Sequence, residues 1–164
     1  MSPEDLVEIE LIKQLKYRYM RCVDEKLWSE LPDCFTEDAT CAYSAGKYSH
    51  QGRDAICRWL EESMAAPSFH SSHRVHHPEI ALQSPDRASG IWALEDTVIE
   101  TALNFSLRGA AFYEDVYVRQ SGGWKIQHTG YRRTFEEVHA RTAVEGLSLT
   151  ASAWNSGGRS KIDA

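Results

Sequence analysis

Four of the chain's seven histidines lie within eight residues, in the segment 70-HSSHRVHHPEI-80. Imidazole is both a common metal ligand and a side chain that exchanges protons near neutral pH. His70, His73, His76 and His77 could therefore form a metal site, provide a catalytic base, or form a polar stretch that leads into a strand.

The spacing of these histidines argues against a metal site. H-x-x-H-x-x-H-H matches no common zinc spacing, and the H-E-x-x-H motif is absent. An iron site with two histidines and a carboxylate would need His73, His77 and Asp96 to converge. Pro78 and strand alternation divide the histidines between two faces, with His73 and His77 on one side and His76 on the other. The iron site stays open as an alternative, but we expect no metal.

A carboxylate is expected among apolar neighbours in the segment 90-GIWALEDTVIE-100. In a strand, Trp92, Leu94, Asp96 and Val98 would share one face, and Glu95 would lie on the other. Both faces are largely apolar, and a buried carboxylate needs a partner. A histidine would suit catalysis, because a carboxylate fixes the imidazole tautomer and stabilises the imidazolium. A purely structural hydrogen bond of Asp96 is the alternative.

A second polar pair lies at the end of the first amphipathic segment. Tyr19 continues the apolar stripe, so its ring should face the core and its hydroxyl needs a partner or a ligand. Asp24 follows where a helix should end. Asp24 is either a residue of the C-terminal turn of the helix or a residue with a function beyond the helix. The second role is favoured by its position, because a carboxylate is disfavoured at the negative end of the helix dipole.

Three helical patterns precede a set of strands. Apolar residues from Leu6 to Val23 recur every three or four positions, after an N-cap at Ser2, and predict a helix of about 20 residues. A short pattern over Trp28–Phe35 is limited by Pro32, and Gly52–Met64 predicts a third helix. A short strand, Thr40–Tyr43, is predicted before the third helix, and the later period of two predicts four more strands. These are Arg74–Leu82, Ala88–Leu103, Ser106–Gln120 and Gly123–Glu136.

Helices followed by a long antiparallel sheet predict an α+β domain, in which a curved sheet wraps the first helix and encloses a cavity. We assign this domain to residues 1–145. Residues 146–164 are rich in Gly and Ser and predict an irregular tail, with Trp154 available to contact a neighbouring subunit.

Composition excludes several classes of function. The net charge is −6 at pH 7 and no basic run occurs, so no nucleic-acid partner is expected. The first residues lack the apolar core of a signal peptide, and no apolar run could span a membrane. Four cysteines are scattered without a C-x-x-C pair, so we expect them to be reduced in a cytoplasmic protein.

Six strings in this order resemble the SnoaL-like branch of the nuclear transport factor 2-like superfamily, and within it the bacterial bile-acid 7α-dehydratases. The resemblance runs from about Ile9 to His139. The strings are 17-YRYMRCVDEKLW-28, 43-YSAGK-47, 73-HRVHHPEI-80, 90-GIWALED-96, 112-FYEDVY-117 and 129-TGYRRTFEE-137. The segment Glu100–Leu107 departs from the family in length and composition.

The resemblance implies a cone-shaped α+β fold, in which a curved sheet packs on three N-terminal helices around a cavity, and it implies no cofactor. By motif, the catalytic residues are Tyr19, Asp24, His73 and Asp96, with His73 as the base paired to Asp96. A register shift of one residue would make Glu95 the partner instead. Substrate-binding residues are expected on the cavity wall. They are Tyr43, Trp59, Trp92, Phe112 and Arg133.

The function implied is cofactor-independent elimination of water from a hydroxylated steroid or a similar polycyclic enone. Three alternatives stay open: an enzyme like ketosteroid isomerase, a polyketide or aromatic dehydratase, and a non-catalytic protein that binds a ligand or serves as the small subunit of a ring-hydroxylating oxygenase. The expected partners are a small hydrophobic substrate and further copies of the chain, in a trimer or a dimer.

Overall fold

The chain begins with a long helix that buries one face against the rest of the fold. The structure, a computed structural model, describes residues 1–162. Helix α1 spans Pro3–Asp24, and Ser2 caps it in a reciprocal capping box with Asp5. Ile12, Lys16, Tyr19, Met20 and Val23 are buried along its inner face. The apolar stripe predicted from the sequence is therefore present, with one lysine in it.

Two shorter helical segments follow. The predicted helix over 28–35 is a single 3-10 turn, Leu31–Cys34, because Pro32 has no N–H to continue a helix. Helix α2 spans Arg53–Met64, as predicted, and buries Ile56 and Leu60. A four-residue helix, α3 (Ala153–Ser156), lies in the C-terminal tail.

Six strands form one sheet in the order β2-β1-β6-β5-β4-β3. Their bounds are β1 Phe35–Tyr43, β2 Tyr48–Gln51, β3 Phe69–Ser84, β4 Arg87–Glu100, β5 Phe105–Gln120 and β6 Gly123–Ala140. The prediction of a wholly antiparallel sheet was wrong in one pairing, because β1 runs parallel to β6. β2 was not predicted, since four largely exposed residues carry no alternating pattern.

The curved sheet and the helices enclose the core between them. Residues along β4 alternate between buried and more exposed positions, with Trp92, Leu94, Asp96 and Val98 all buried. This is the face predicted from the sequence. Cys22, Cys34 and Cys41 are buried as small core residues, and Cys57 is partly buried. The fold class predicted from the sequence, an α+β cone, is confirmed.

The tail folds back on its own chain. The ammonium of Lys26 lies 4.5 Å from the ring centroid of Trp154 and also donates to the carbonyls of Ala65 and Ala66 at the end of α2. Within residues 1–162, Trp154 thus contacts Lys26 of its own chain, whereas the sequence predicted a contact with a neighbouring subunit. No helix in that range is long and apolar enough to cross a membrane.

The parallel pairing of β1 and β6 depends on a close backbone approach at Gly130. Gly130 pairs with Ala42, and a Cβ built on Gly130 would lie 2.7 Å from the Ala42 carbonyl oxygen. The Gly130→Ala substitution must therefore push the two strands apart, and we expect it to lower the free energy of unfolding by about 1–3 kcal/mol.

Urea denaturation would measure this effect. Gly122→Ala is the matched control, because a Cβ there meets nothing within 4 Å. The control should stay within about 0.5 kcal/mol of the wild type. Equal stability of both variants would contradict the close approach.

Candidate active site

A cavity of about 320 Å³ lies between the concave face of the sheet, α1 and α2. This volume is at the lower end of the range usual for small-molecule sites. Seven aromatic side chains line it: Tyr19, Tyr43, Tyr48, Trp59, Phe69, Tyr113 and Tyr131. Three ionisable side chains join them on the wall: His73, Asp96 and Arg133. The cavity is thus largely apolar, with a few polar groups on its wall.

His73 is held by the carboxylate at the end of α1. Its Nδ1 lies 2.6 Å from Oδ1 of Asp24, and its backbone N–H donates to Oδ2 at 2.7 Å. Ser71 donates a further bond to Oδ1 at 2.8 Å. A carboxylate only accepts hydrogen bonds when ionised, so Nδ1 carries the proton and Nε2 is left as the basic nitrogen.

The hydrogen bonds keep Asp24 ionised. Burial alone would raise the pKa of this carboxyl. The charge and hydrogen bonds of His73, together with the bond from Ser71, outweigh burial and lower the pKa below its usual value of 3.8. A carboxylate at the C-terminus of a helix is unfavourable by itself. Here it has partners on the neighbouring strand, which explains its position.

The predicted pairing of His73 with Asp96 was wrong. The two residues are neighbours across β3 and β4, but Asp96 forms a two-pronged ion pair with Arg133, in which Nη2 donates to Oδ2 at 2.9 Å and Nη1 donates to Oδ1. Glu95, the alternative partner, is exposed on the outer face, where it lies 3.7 Å from His76. A guanidinium matches a carboxylate in geometry, so Arg133 binds both oxygens of Asp96. The carboxylate that binds His73 is therefore Asp24.

Arg133 reaches Asp96 from β6. Burial lowers the pKa of the guanidinium, but the hydrogen bond and charge of Asp96 more than compensate, and the pKa is raised. The carboxylate oxygen Oε2 of Glu136 lies 3.1 Å from Nε of Arg133. The cavity thus contains a bound charge pair rather than a free cation.

Two buried phenols share a hydrogen bond in the cavity. The hydroxyl oxygens of Tyr19 and Tyr43 are 2.8 Å apart. Burial is the main cause that raises the pKa of both phenols well above the usual value, so both stay protonated. The shared bond raises the pKa of Tyr19 further and lowers that of Tyr43. One phenol donates to the other, which leaves one hydroxyl proton available for a ligand oxygen.

An aromatic stack forms one side of the cavity. The ring of Trp59 lies nearly parallel to Tyr43 and to Tyr48, with centroids 5.5 and 5.3 Å away. Flat conjugated rings stack favourably on such faces. Trp59 and Tyr43 were predicted to lie on the wall, and the structure places both there.

Two predicted wall residues lie elsewhere. Trp92 is fully buried beneath the cavity, where its indole N–H donates to the hydroxyl of Tyr117. Phe112 is half exposed on the outer face of β5, since its neighbour Tyr113 takes the inward position. Both residues lie on strands that contribute to the cavity wall, β4 and β5. Phe112 points to the outer face of the sheet, and Trp92 is buried in the core without lining the cavity.

Sequence reasoning missed Tyr48, Tyr113 and Tyr131, which line the cavity. Tyr113 could have been found, because it is two residues before the buried Asp115 and four before the buried Tyr117 on the same strand face. Tyr48 lies on the unpredicted strand β2 and gave no such signal.

The remaining histidines do not join the site. His76 is partly exposed near Glu95, and His77 adopts a positive φ at a bulge in β3, which breaks the alternation of that strand. His70 lies 3.5 Å from the hydroxyl of Ser152 in the tail. Over residues 1–162, no three His, Cys, Asp or Glu side chains converge as metal ligands would.

The arrangement has the parts that proton transfer from carbon requires. An oriented imidazole can remove a proton, protonated phenols can donate to a developing negative charge, and aromatic faces can hold a flat substrate. These groups come from α1, β1, α2 and β3 and line the same cavity.

Solved structures with the same fold include enzymes. A scytalone dehydratase-like protein from Novosphingobium aromaticivorans has 24% identity and a TM-score of 0.76, over 84% of this chain and 91% of that one. A LinA-type3 hexachlorocyclohexane dehydrochlorinase from Novosphingobium barchaimii has 19% identity and a TM-score of 0.74, over 90% and 97%. A protein of unknown function from Mycobacterium tuberculosis has 25% identity and a TM-score of 0.69, over 81% and 76%.

The sequence itself matches a family model. The model of the SnoaL-like domain covers residues 4–130, which is most of the chain and includes Tyr19, Asp24, His73 and Asp96. This protein therefore belongs to the SnoaL-like domain family.

Proposed function

We propose that this protein is a cofactor-independent lyase that eliminates water from a hydroxylated cyclic enone. The observation that carries the proposal is the hydrogen bond of 2.6 Å between His73 Nδ1 and Asp24, at the wall of an aromatic cavity. It leaves Nε2 as the base, next to the space that a substrate would occupy. The relatives' names, a dehydratase and a dehydrochlorinase, both denote eliminations and agree with this reaction type.

The proton is removed from carbon in the first step. Nε2 of His73 takes a proton from the carbon made acidic by the conjugated carbonyl, and the C–H electron pair moves into the ring to form a dienolate. Asp24 stays ionised and stabilises the imidazolium, because its pKa is lowered. A positioned base of this kind contributes about 10²–10⁴-fold in rate.

Water leaves in the second step. The dienolate returns its electrons, the C–O bond breaks, and the imidazolium gives its proton to the departing hydroxyl. The products are a further conjugated ketone and one water molecule, and the histidine returns to its neutral form. Atoms and charge balance without any cofactor.

The phenol pair is suited to the developing oxyanion. Tyr19 and Tyr43 are both protonated and buried, so their free O–H proton can bind the enolate oxygen in a largely apolar cavity. The Asp96–Arg133 pair lies beside His73 across the β3–β4 pairing and offers polar atoms to the leaving hydroxyl.

We propose a 7α-hydroxy-3-oxo-4-ene steroid as the substrate to test first. The support is the resemblance of six strings to bile-acid 7α-dehydratases, together with a wall on which Trp59 and Tyr48 stack. A cavity of about 320 Å³ is small for a whole steroid, so the reacting rings would lie inside and the remainder would extend through the open mouth.

Other functions in this fold have less support. An isomerase would use the same base, but it needs no group near a leaving hydroxyl. A ligand-binding protein or the small subunit of an oxygenase would not require an oriented imidazole and a protonated phenol pair in one cavity. The structure brings these groups together, which favours catalysis.

An absorbance assay tests the proposed reaction, because dehydration extends the conjugation of the substrate and creates a band at longer wavelength. We expect the wild type to produce this band, and we expect His73→Ala and Asp24→Asn each to slow it by at least about 10²-fold. The first variant removes the base, and the second removes the charge that orients it.

His76→Ala is the matched control, since His76 is a nearby histidine on the same strand that is partly exposed outside the cavity. It should keep the wild-type rate. An absent band with folded wild-type protein would refute the steroid dehydratase, and an equal loss in the control would refute the assignment of His73.

The lowered pKa of Asp24 also predicts how stability depends on pH. A carboxyl whose folded pKa lies below its unfolded value stabilises the fold above that value, and this stabilisation is lost as the pH falls through the folded pKa. The unfolded value is close to 3.8. Asp24→Asn should therefore cost about 1–3 kcal/mol near neutral pH, and the difference from the wild type should shrink below about pH 4.

Urea denaturation of the two proteins at several pH values measures this difference. Asp33→Asn is a suitable control, because Asp33 is a largely exposed carboxylate in the 3-10 turn that follows α1. A constant difference between wild type and Asp24→Asn down to pH 3 would contradict the ionised state of Asp24 in the fold.

A further inference from the structure

A lysine lies fully buried beneath the cavity, where the proposed mechanism does not use it. Lys16 is on the inner face of α1, and its side chain and that of Asp115 are both 0% exposed. Their Nζ and Oδ2 atoms are 2.7 Å apart. Burying two charges is costly, and replacing such a pair by apolar residues is often neutral or stabilising. Stability alone therefore gives a weak reason for this pair.

The Lys16–Asp115 ion pair has a defined orientation relative to the cavity. The carboxylate of Asp115 also accepts a bond of 2.6 Å from the hydroxyl of Tyr117, which in turn accepts one from Trp92, and neither of these rings lines the cavity. The ammonium faces the other way. It lies 3.5 Å from the ring centroid of Tyr113 and 5.1 Å from that of Tyr19, and both rings line the cavity.

The positive end of the ion pair thus lies under the cavity floor and the negative end lies on the core side. A cation against the face of a phenol ring attracts its electrons and favours negative charge on the phenol oxygen. The phenol O–H then becomes a stronger hydrogen-bond donor. Burial is the main cause that raises the pKa of the Tyr113 phenol well above its usual value, and the nearby tyrosines and Asp115 raise it further. The positive charge of Lys16 against the ring face acts in the opposite direction.

We propose that Lys16 is a positioning residue for the phenols of the cavity. Its ammonium, anchored by Asp115 beneath the rings of Tyr113 and Tyr19, strengthens their hydroxyls as donors to an oxyanion in the cavity. This inference rests on the proposed function, in which an enolate oxygen forms there. It adds a buried charge that acts through other residues and never touches the substrate.

The proposal is tested by binding phenols of graded acidity, which requires no turnover. Phenols substituted at the 4-position, from 4-methoxyphenol to 4-nitrophenol, have similar size and differ in how readily they carry negative charge. Calorimetry gives the affinity of each one. We expect affinity for the wild type to rise with phenol acidity, because the cavity stabilises an oxyanion.

The test variant is the double substitution Lys16→Met with Asp115→Asn. It removes both charges, leaves no buried ion without a partner, and keeps an acceptor for the Tyr117 hydroxyl. We expect the affinity ratio of 4-nitrophenol to 4-methoxyphenol to fall by about threefold to tenfold. The visible band of nitrophenolate should also show a smaller ionised fraction of bound ligand. Lys13→Met is the matched control, because Lys13 is a lysine of the same helix paired with Glu10 at the surface.

A purely structural role would weaken all phenols equally and leave the ratio unchanged, and that result would overturn the proposal. The absence of any dependence on acidity in the wild type, or of any phenol binding, would overturn it too. A ratio that depends on Lys16 in a protein that dehydrates no steroid would support this inference while refuting the proposed reaction, so the two failures are distinguishable.

Discussion

One carboxylate joins the long helix to the sheet and sets the geometry of the site. Asp24 ends α1 and bonds to both the backbone and the ring of His73 as well as to Ser71, all on β3. A charge at this end of a helix opposes the helix dipole, and its partial burial adds a further cost. Three hydrogen bonds offset these costs, so α1 can dock only where β3 offers its donors. The same contact fixes the orientation of the His73 imidazole at the cavity wall.

Two ion pairs divide the charges around the cavity. Asp96 and Arg133 lie on its wall, whereas Lys16 and Asp115 lie beneath its floor. Because each carboxylate has its own cation, Asp24 is left for His73, and a histidine without a competing partner keeps one nitrogen free. The protein thus holds several charges in an aromatic environment without leaving one unpaired, which is the condition for burying them.

Strand parity decides which side chains line the cavity. On β5, Tyr113 lines the cavity and Phe112 lies on the outer face, although both are aromatic and adjacent. On β4, Asp96 lines the cavity, and Trp92 on the same face lies deeper. Curvature explains the second difference, because residues along one face of a curved strand reach different depths. The wall is therefore set by position along the strand as well as by side-chain type.

Local patterns in the sequence located most of the elements and named several side chains of the candidate site. Periodicity located α1, α2 and four long strands, the alternation on β4 gave the buried face of Asp96, and motif order gave Tyr19, Asp24 and His73 as site residues. These are local signals or recognisable strings. The pairing of the charges depends on contacts between segments that are distant in the sequence. Asp96 and Asp24 both lie near His73, and the choice between them depends on Arg133, which is 60 residues further along the chain than His73. The parallel pairing of β1, the position of Tyr48 and the burial of Lys16 were likewise fixed by contacts between distant segments, which no local pattern records.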